Sequence, residues 1–507
     1  MARLMTRLSL LAAVLVLVLV RSVAIAADEP TAGLEAKITK ALGDWQVPGL
    51  AIAIVKDDRV VLAKGFGARK TGEPASVDAD TLFAIGSTSK AFTAATLAML
   101  IDEGKLAWDD PVTKHLAGFA LYDPAVTREL TVRDLLCHRS GLPRGDALWY
   151  GTGNDRVEIL RRVRHLKPDS SFRSKFGYQN IMYLAAGEVT ARVAKTSWDD
   201  FVKERLFLPL GMKSSNTSVT ALPAGGNAAT PHSKVADTLE PLPWRNIDNV
   251  GPAGSINSNV NDMAQWIRMQ LGNGEFEGKR LVSAAAIDEM RSPQTIVQLS
   301  PDIKARFPGT KFLAYGLGWM LRDYKGRLLA EHGGGIDGMT SQVALVPEEK
   351  LGVVILTNRG GTALPSALSH HVFDRFLKIA GRDWLAEDLS AQNETERKTK
   401  EAKTKLEASR AKDTKPSLPL EKYAARFTSE LYGPATVTCK EGKLTMDRDG
   451  RFAADLEHWH YDTFRAKYQD KAMEPQLLTF ELDSSGKVAA VEIPELGRFK
   501  REEEKSK

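Results

Sequence analysis

Gly86-Ser87-Thr88-Ser89-Lys90 heads an apolar run whose reading decides the fold. From Ser87 to Ile101 the run predicts a helix, in which Phe92, Leu97, Met99, Leu100 and a series of alanines leave no polar face. A helix that is apolar all round is buried, and Gly104 supplies its stop. Ser87 and Lys90 stand three apart and share one face of it. A cation in the first turn opposes the helix dipole, and burial disfavours its charge, so both effects lower the ammonium pKa from about 10.4. A neutral amine there can take the Ser87 proton, as an activated serine nucleophile requires. Backbone N–H groups at the helix start face the place where an oxyanion would form. The plainer alternative makes Ser87 or Ser89 an N-cap and Lys90 a snorkelling surface residue.

Two later stretches bear on that choice. Phe176-Gly177-Tyr178-Gln179-Asn180 precedes a helix expected from Ile181 to Lys195. Tyr178 offers a phenol that can relay a proton, and Asn180 an amide that can hold a substrate carbonyl; alternatively Asn180 is an N-cap and Tyr178 packs. His332-Gly333-Gly334-Gly335 follows the apolar strand Leu328-Leu329-Ala330. Glycines there let backbone approach a ligand closely, or else they form a hairpin turn beside a solvated histidine.

Taken together, Ser-x-x-Lys, Tyr-x-Asn and His-Gly-Gly-Gly resemble the signature set of the serine β-lactamase and penicillin-binding-protein superfamily. The branch resembled is class C β-lactamase-like, with its D-aminopeptidase and esterase relatives. Val47–Val55, Thr131–Leu142 and Phe207–Met212 also look like this branch, and the likeness runs from about Thr31 to Ala380. The resemblance implies Ser87 as the acylated nucleophile, Lys90 as its base and Tyr178 as the proton relay. It implies Asn180 as a substrate contact, the Gly333–Gly335 run at the substrate, and the Gly335 and Ser87 N–H groups as the oxyanion hole. His332, counted with the catalytic residues as a polar group that could aid proton transfer or orient the substrate, departs from the pattern, standing where β-lactamases and D,D-peptidases carry lysine. With an ordinary pKa near 6.5 it is mostly neutral at pH 7. The fixed cation that anchors a substrate carboxylate is then missing, and preference for anions should rise as pH falls.

The chain has 507 residues, 43% hydrophobic and 26% charged, a globular composition long enough for two or three domains. Residues 1–26 read as a secretory signal peptide: Arg3 and Arg7 precede an apolar run from Leu8 to Val20, and Ala24-Ile25-Ala26 forms a cleavage site. Thirteen helical residues span about 20 Å, short of a bilayer core, so no membrane span is expected after processing. Periplasmic or secreted localisation follows. Removing Arg3, Arg7 and Arg21 takes the net charge from +5 to +2, too small a bias for a nucleic-acid partner. Gly-x-Ser-x-Gly, P-loop, His-Glu-x-x-His and Cys-x-x-Cys motifs are absent from the sequence. His458, His460 and Asp462 would share a strand face and could hold a metal, but such alternation is commonly a polar strand face. No metal or other cofactor is expected, and Cys137 and Cys439 read as unrelated thiols.

The fold expected over residues 27–388 is α+β: an antiparallel sheet flanked by terminal helices, with an inserted helical lobe. Thr31–Trp45 is an amphipathic helix carrying Leu34, Ile38, Ala41 and Leu42 on one side, before a hairpin turning at Asp57-Asp58. Thirteen of the 23 residues from Asn393 to Lys415 are charged, so residues 389–415 read as a solvated helical linker. Glu394/Lys398, Glu396/Lys400 and Glu401/Lys405 are its expected i,i+4 pairs. Residues 416–507 read as a small all-β module, by the resemblance a lipocalin-like barrel through which a homo-oligomer could form. The expected function is an exported serine hydrolase acting on a small ester, amide or short peptide. A β-lactamase or D,D-carboxypeptidase, and a non-catalytic binding protein of this fold, are the alternatives.

Overall fold

A computed structural model describes residues 30–503 except 236, 449 and 451. The expected signal peptide lies outside the described residues, and no described helix is long and apolar enough to cross a membrane.

Helix α1 (Leu34–Asp44) buries Leu34, Ile38, Ala41 and Leu42, the stripe its 3.6-residue period dictates. Strands β1 (Gly49–Lys56) and β2 (Arg59–Gly67) form a hairpin across Asp57 and Asp58, both at positive φ, as a two-residue turn with right-handed twist requires. Six further strands complete one antiparallel sheet: β3 (Thr295–Ile296), β4 (Leu313–Tyr315), β5 (Met320–Tyr324), β6 (Arg327–Ile336), β7 (Met339–Val346) and β8 (Leu351–Thr357). Their order is β2-β1-β8-β7-β6-β5-β4-β3, so the N-terminal hairpin pairs with the last strand of the domain.

Alternation along β1 separates two cores. Leu50, Ile52 and Ile54 pack with α1 and the helix Leu364–Phe376, while Ala51, Ala53 and Val55 face the helical lobe. At the centre of that lobe is α2 (Ser89–Asp102), buried on every side except at its last two residues, with Phe92 stacked on Trp266 at 3.8 Å. Its polar side chains are satisfied internally: Thr93 donates to the Pro252 carbonyl at 2.6 Å, and Thr96 bonds Thr190 at 2.9 Å. Thr190 belongs to α3 (Asn180–Ala194), capped by the Gln179 side chain rather than by Asn180.

The charged segment forms a single helix, α4 (Trp384–Ala408), anchored by the buried Trp384 and Leu385. Beyond its first turns the helix is largely exposed. Glu396 pairs with Lys234 at 2.6 Å, and Lys400 with Asp237 at 2.9 Å, so these side chains reach the first domain instead of each other. Of the three expected helical pairs only Glu394/Lys398 forms, at 3.5 Å, while Glu401 takes Arg397.

Eight antiparallel strands between Ala425 and Arg501 then close into a barrel, the first pairing with the last through Phe427↔Arg501 and Thr428↔Lys500. His458, His460 and Asp462 do not share a strand face there. The register shifts between His458 and His460, and each of the three side chains has a protein partner: the Tyr461 carbonyl, the Ala411 N–H and the Tyr423 hydroxyl. Cys137 and Cys439 are free thiols.

Candidate active site

Ser87 sits on a 3₁₀ turn, Gly86–Thr88, one residue before α2 begins, and it is the one half-exposed residue between Leu82 and Lys90. Lys90, in the first turn of α2, is fully buried. Its Nζ lies 3.1 Å from Ser87 Oγ, 2.8 Å from Asn180 Oδ1 and 2.8 Å from the Ala253 carbonyl. Burial drives its pKa well below the ordinary lysine value; Asp146 opposes that shift and Arg144 adds to it. A neutral amine has two N–H bonds and one lone pair. With both N–H groups committed to the carbonyl acceptors of Asn180 and Ala253, the lone pair is left to accept the Ser87 proton.

Tyr178 closes the other side. Its phenol is within hydrogen-bonding reach of Ser87, and burial raises its pKa, so it stays protonated at neutral pH. Lys90 Nζ stands 4.8 Å from the ring centroid. His138 lies behind the ring at 4.2 Å, and its Nδ1 accepts from the Gln179 N–H at 3.1 Å, fixing the segment that carries Tyr178. Asn180 donates to Asp146 Oδ1 at 3.0 Å, an oxygen that also receives the Trp149 indole N–H at 2.9 Å. Asp146 orients the amide oxygen of Asn180 toward Lys90. Neither His138 nor Asp146 was legible as a site residue: His138 lay in the quoted stretch Thr131–Leu142 with no role attached, and Asp146 sits in a loop without pattern.

His332-Gly333-Gly334-Gly335 is not a turn. The four residues lie inside β6, paired with Val343, Gln342, Ser341 and Thr340, and the hairpin turns at Asp337-Gly338. Gly86, at φ +53, brings its backbone against the strand: a β-carbon there would lie 2.8 Å from the Gly335 nitrogen. Gly335 is exposed toward the cleft, with no atom within 4 Å of the position its own β-carbon would take. Gly333 is exposed and Gly334 buried, the alternation of a strand with one face on the cleft.

His332 is buried, not solvated. Its Nδ1 donates to the Gly333 carbonyl at 2.6 Å, so its Nε2 accepts from the Tyr315 hydroxyl at 2.8 Å. Burial, with Lys90 nearby, pushes its pKa down to about 3. The expectation of titration near neutrality is corrected by this environment: His332 is neutral across the physiological range. A cation does stand at the cleft, from a residue that gave no sequence signal. Arg144 is 60% exposed, 5.2 Å over the Tyr178 ring, and its charge is offset by Asp146 at 2.7 Å.

Two openings lie near Ser87, one bordered by Tyr178 and the other by Gly335. One of about 230 Å³ is lined by Tyr178, Tyr315, Glu331, His332 and Gln342. The other, a groove of about 970 Å³, runs from Arg144, Gly335 and Asp337 to Thr399 and Lys403 of α4 and Glu474 of the barrel. The arrangement sets a half-exposed serine hydroxyl between a buried amine and a protonated phenol, with an opening on either side.

The family model described as Beta-lactamase matches residues 34–372, and the model described as Domain of unknown function (DUF3471) matches residues 409–506. The chain is 29% identical to unguisins hydrolase ungD' of Aspergillus campestris (strain IBT 28561), over 81% of this chain and 78% of the relative. It is 30% identical to penicillin-binding protein 4 of Amycolatopsis lactamdurans, over 62% of this chain and 82% of the relative. Among solved structures it resembles the octameric penicillin-binding protein homologue from Pyrococcus abyssi, with TM-score 0.62 and 23% identity over 92% of this chain and 98% of that one. It also resembles a D-stereospecific amidohydrolase from Streptomyces sp., with TM-score 0.54 and 24% identity over 68% of this chain and 97% of that one.

Proposed function

Because the chain belongs to the Beta-lactamase family and is a serine hydrolase, we propose that it cleaves a small ester, amide or peptide bond through an acyl-enzyme on Ser87. The observation that carries this is the Lys90 amine nitrogen, buried 3.1 Å from Ser87 Oγ with its other two polar neighbours both carbonyl acceptors. Neutral Lys90 takes the Ser87 proton as Oγ attacks the substrate carbonyl, and the amides of Ser87 and Gly335 receive the oxyanion. Tyr178, kept protonated by burial, gives its proton to the leaving group and is reprotonated from Lys90. Water then attacks the ester with the same groups reversing their roles.

Neutral His332, with the charge of Arg144 offset by Asp146, supports uncharged esters and amides over carboxylate-bearing β-lactams. Ser87, Lys90 and Tyr178, all in place, speak against a binding protein that has lost catalysis. The apolar run and cleavage site in residues 1–26 support export to the periplasm or beyond. A panel of p-nitrophenyl esters, D-aminoacyl anilides and nitrocefin tests the reading. Esters or anilides should turn over faster than nitrocefin, and turnover that survives Ser87→Ala contradicts it.

A further inference from the structure

The barrel's interior is filled by its own side chains. Phe427, Phe464, Phe480 and Phe499 are buried in it, and Tyr423 packs on Phe464 and Phe480 at 5.3 and 5.1 Å. Its outer face, by contrast, touches the hydrolase domain at two places that lead to the reactive groups.

One contact starts at Arg448, a buried residue following the strand Lys443–Asp447, whose guanidinium donates to the Ala147 carbonyl at 3.3 and 3.4 Å. Ala147 belongs to the short turn Asp146–Leu148. Asp146 holds Asn180, and Asn180 accepts from Lys90. The second contact starts at Asp470, which accepts from Arg245 Nη2 at 2.8 Å. The same guanidinium donates through Nε to Asp337 at 2.6 Å, and the Tyr150 hydroxyl donates to the other Asp337 oxygen at 2.5 Å. Asp337 is two residues beyond Gly335, at the end of β6. Arg245, Asp337 and Asp470 are 14, 11 and 18% exposed, too enclosed for salt to screen them as it screens a surface pair. A planar guanidinium gripping two carboxylates fixes direction as well as distance.

We propose that the barrel is a positioning arm of the hydrolase site: Arg448 through Ala147, and Asp470 through Arg245 and Asp337, hold the Asn180 support of Lys90 and the Gly335 end of β6 in reactive geometry. The proposal rests on the serine-hydrolase reading. It gives the C-terminal module a mechanical role and requires no ligand of it. Arg448, Asp470 and Arg245 are positioning residues, none of which touches the reacting atoms.

The test uses the full chain and two readouts, the rate of Ser87 labelling by a fluorophosphonate and the steady-state hydrolysis of p-nitrophenyl acetate. Asp470→Ala should slow labelling by about tenfold or more, because small misplacements of reacting groups cost rate steeply. Its kcat should fall while KM stays within about twofold, the mark of lost transition-state rather than ground-state interaction. Asp470→Glu should restore most of the loss, and Lys443→Ala, at an exposed barrel position, should change neither readout. Combined with Asp337→Ala, Asp470→Ala should add little further loss, because both act through Arg245. Arg448→Lys, which keeps the charge but loses the fork on Ala147, covers the case in which Asp470→Ala does not fold. Labelling and kcat within about twofold of wild type in the folded variants, or independent multiplying losses, would overturn the proposal. A wild-type protein that resists labelling at Ser87 overturns the serine-hydrolase reading itself.

Discussion

Gly334 and Ile85 lie so close that a β-carbon on Gly334 would stand 2.0 Å from the Ile85 carbonyl oxygen. Ser341, opposite Gly334 on β7, donates to that same oxygen at 2.7 Å. The strand that presents Gly335 is thereby laid directly on the backbone that leads into Ser87. Gly334→Ala must push the two apart, and turnover should fall by about a hundredfold with a lowered Tm. Gly335→Ala meets open space and should keep its Tm within about two degrees of wild type, the behaviour of a site without steric conflict. Thermal unfolding and steady-state rates on the two variants check the contrast.

Lys90 makes a prediction about pH with a definite sign. Folded Lys90 has a lowered pKa, so above that value the folded chain holds fewer protons than the unfolded one. Stability of wild type relative to Lys90→Met should therefore rise with pH between 7 and 10, by at most about 1.4 kcal/mol per unit. Lys90→Met should also slow acylation by about 10²–10⁴, the worth of a positioned base. Denaturant unfolding of both proteins across that range reads the first claim. A flat difference would mean that Lys90 titrates normally.

His332 should leave no mark on the pH–rate profile between pH 5 and 8. Its pKa of about 3 lies below that window, and both ring nitrogens are already bonded. The kcat/KM ratio for a matched acid and methyl ester should be the same at pH 5.5 and 8 once ionisation of the substrate is allowed for. A ratio that climbs toward acid pH would require a histidine that titrates near neutrality.

The two thiols should differ in reactivity. Cys137 is buried, and burial pushes its pKa up to about 11, whereas Cys439 is partly exposed. Thiolate is the reacting form, so iodoacetamide at pH 8 should modify Cys439 in the native protein and reach Cys137 only after unfolding. Peptide mapping by mass spectrometry distinguishes them.

The parts of this architecture that local pattern dictates were legible in the sequence. The stripe Leu34, Ile38, Ala41, Leu42 gave α1, the uninterrupted apolar run gave a buried α2, and alternating short runs after Pro419 gave an all-β module. What the chain brings together across distance was legible only where the resemblance supplied it, as for Lys90 and Asn180. The glycines after His332 left a hairpin turn open as an alternative because one reason for them, the Ile85–Gly86 backbone, lies some 250 residues away in sequence. Two of the three ion pairs expected in α4 do not form, because Lys234 and Asp237 take Glu396 and Lys400 from another domain and Arg397 takes Glu401. Asp146, Arg144 and His138 carry no spacing signal, since a loop has no period from which to read a face. His332 was correctly read as uncharged, but its burial, which decides its pKa, is a property of the folded chain.

The central claim is that Lys90 delivers Ser87 as the nucleophile. Intact-protein and peptide mass spectrometry after a fluorophosphonate pulse measures it most directly, run on wild type, Ser87→Ala and Lys90→Met. The account predicts a single adduct on Ser87 in wild type, none in Ser87→Ala with its Tm nearly unchanged, and labelling slowed by about 10²–10⁴ in Lys90→Met. An adduct on another residue that persists in Ser87→Ala, or labelling of Lys90→Met at the wild-type rate, would contradict it.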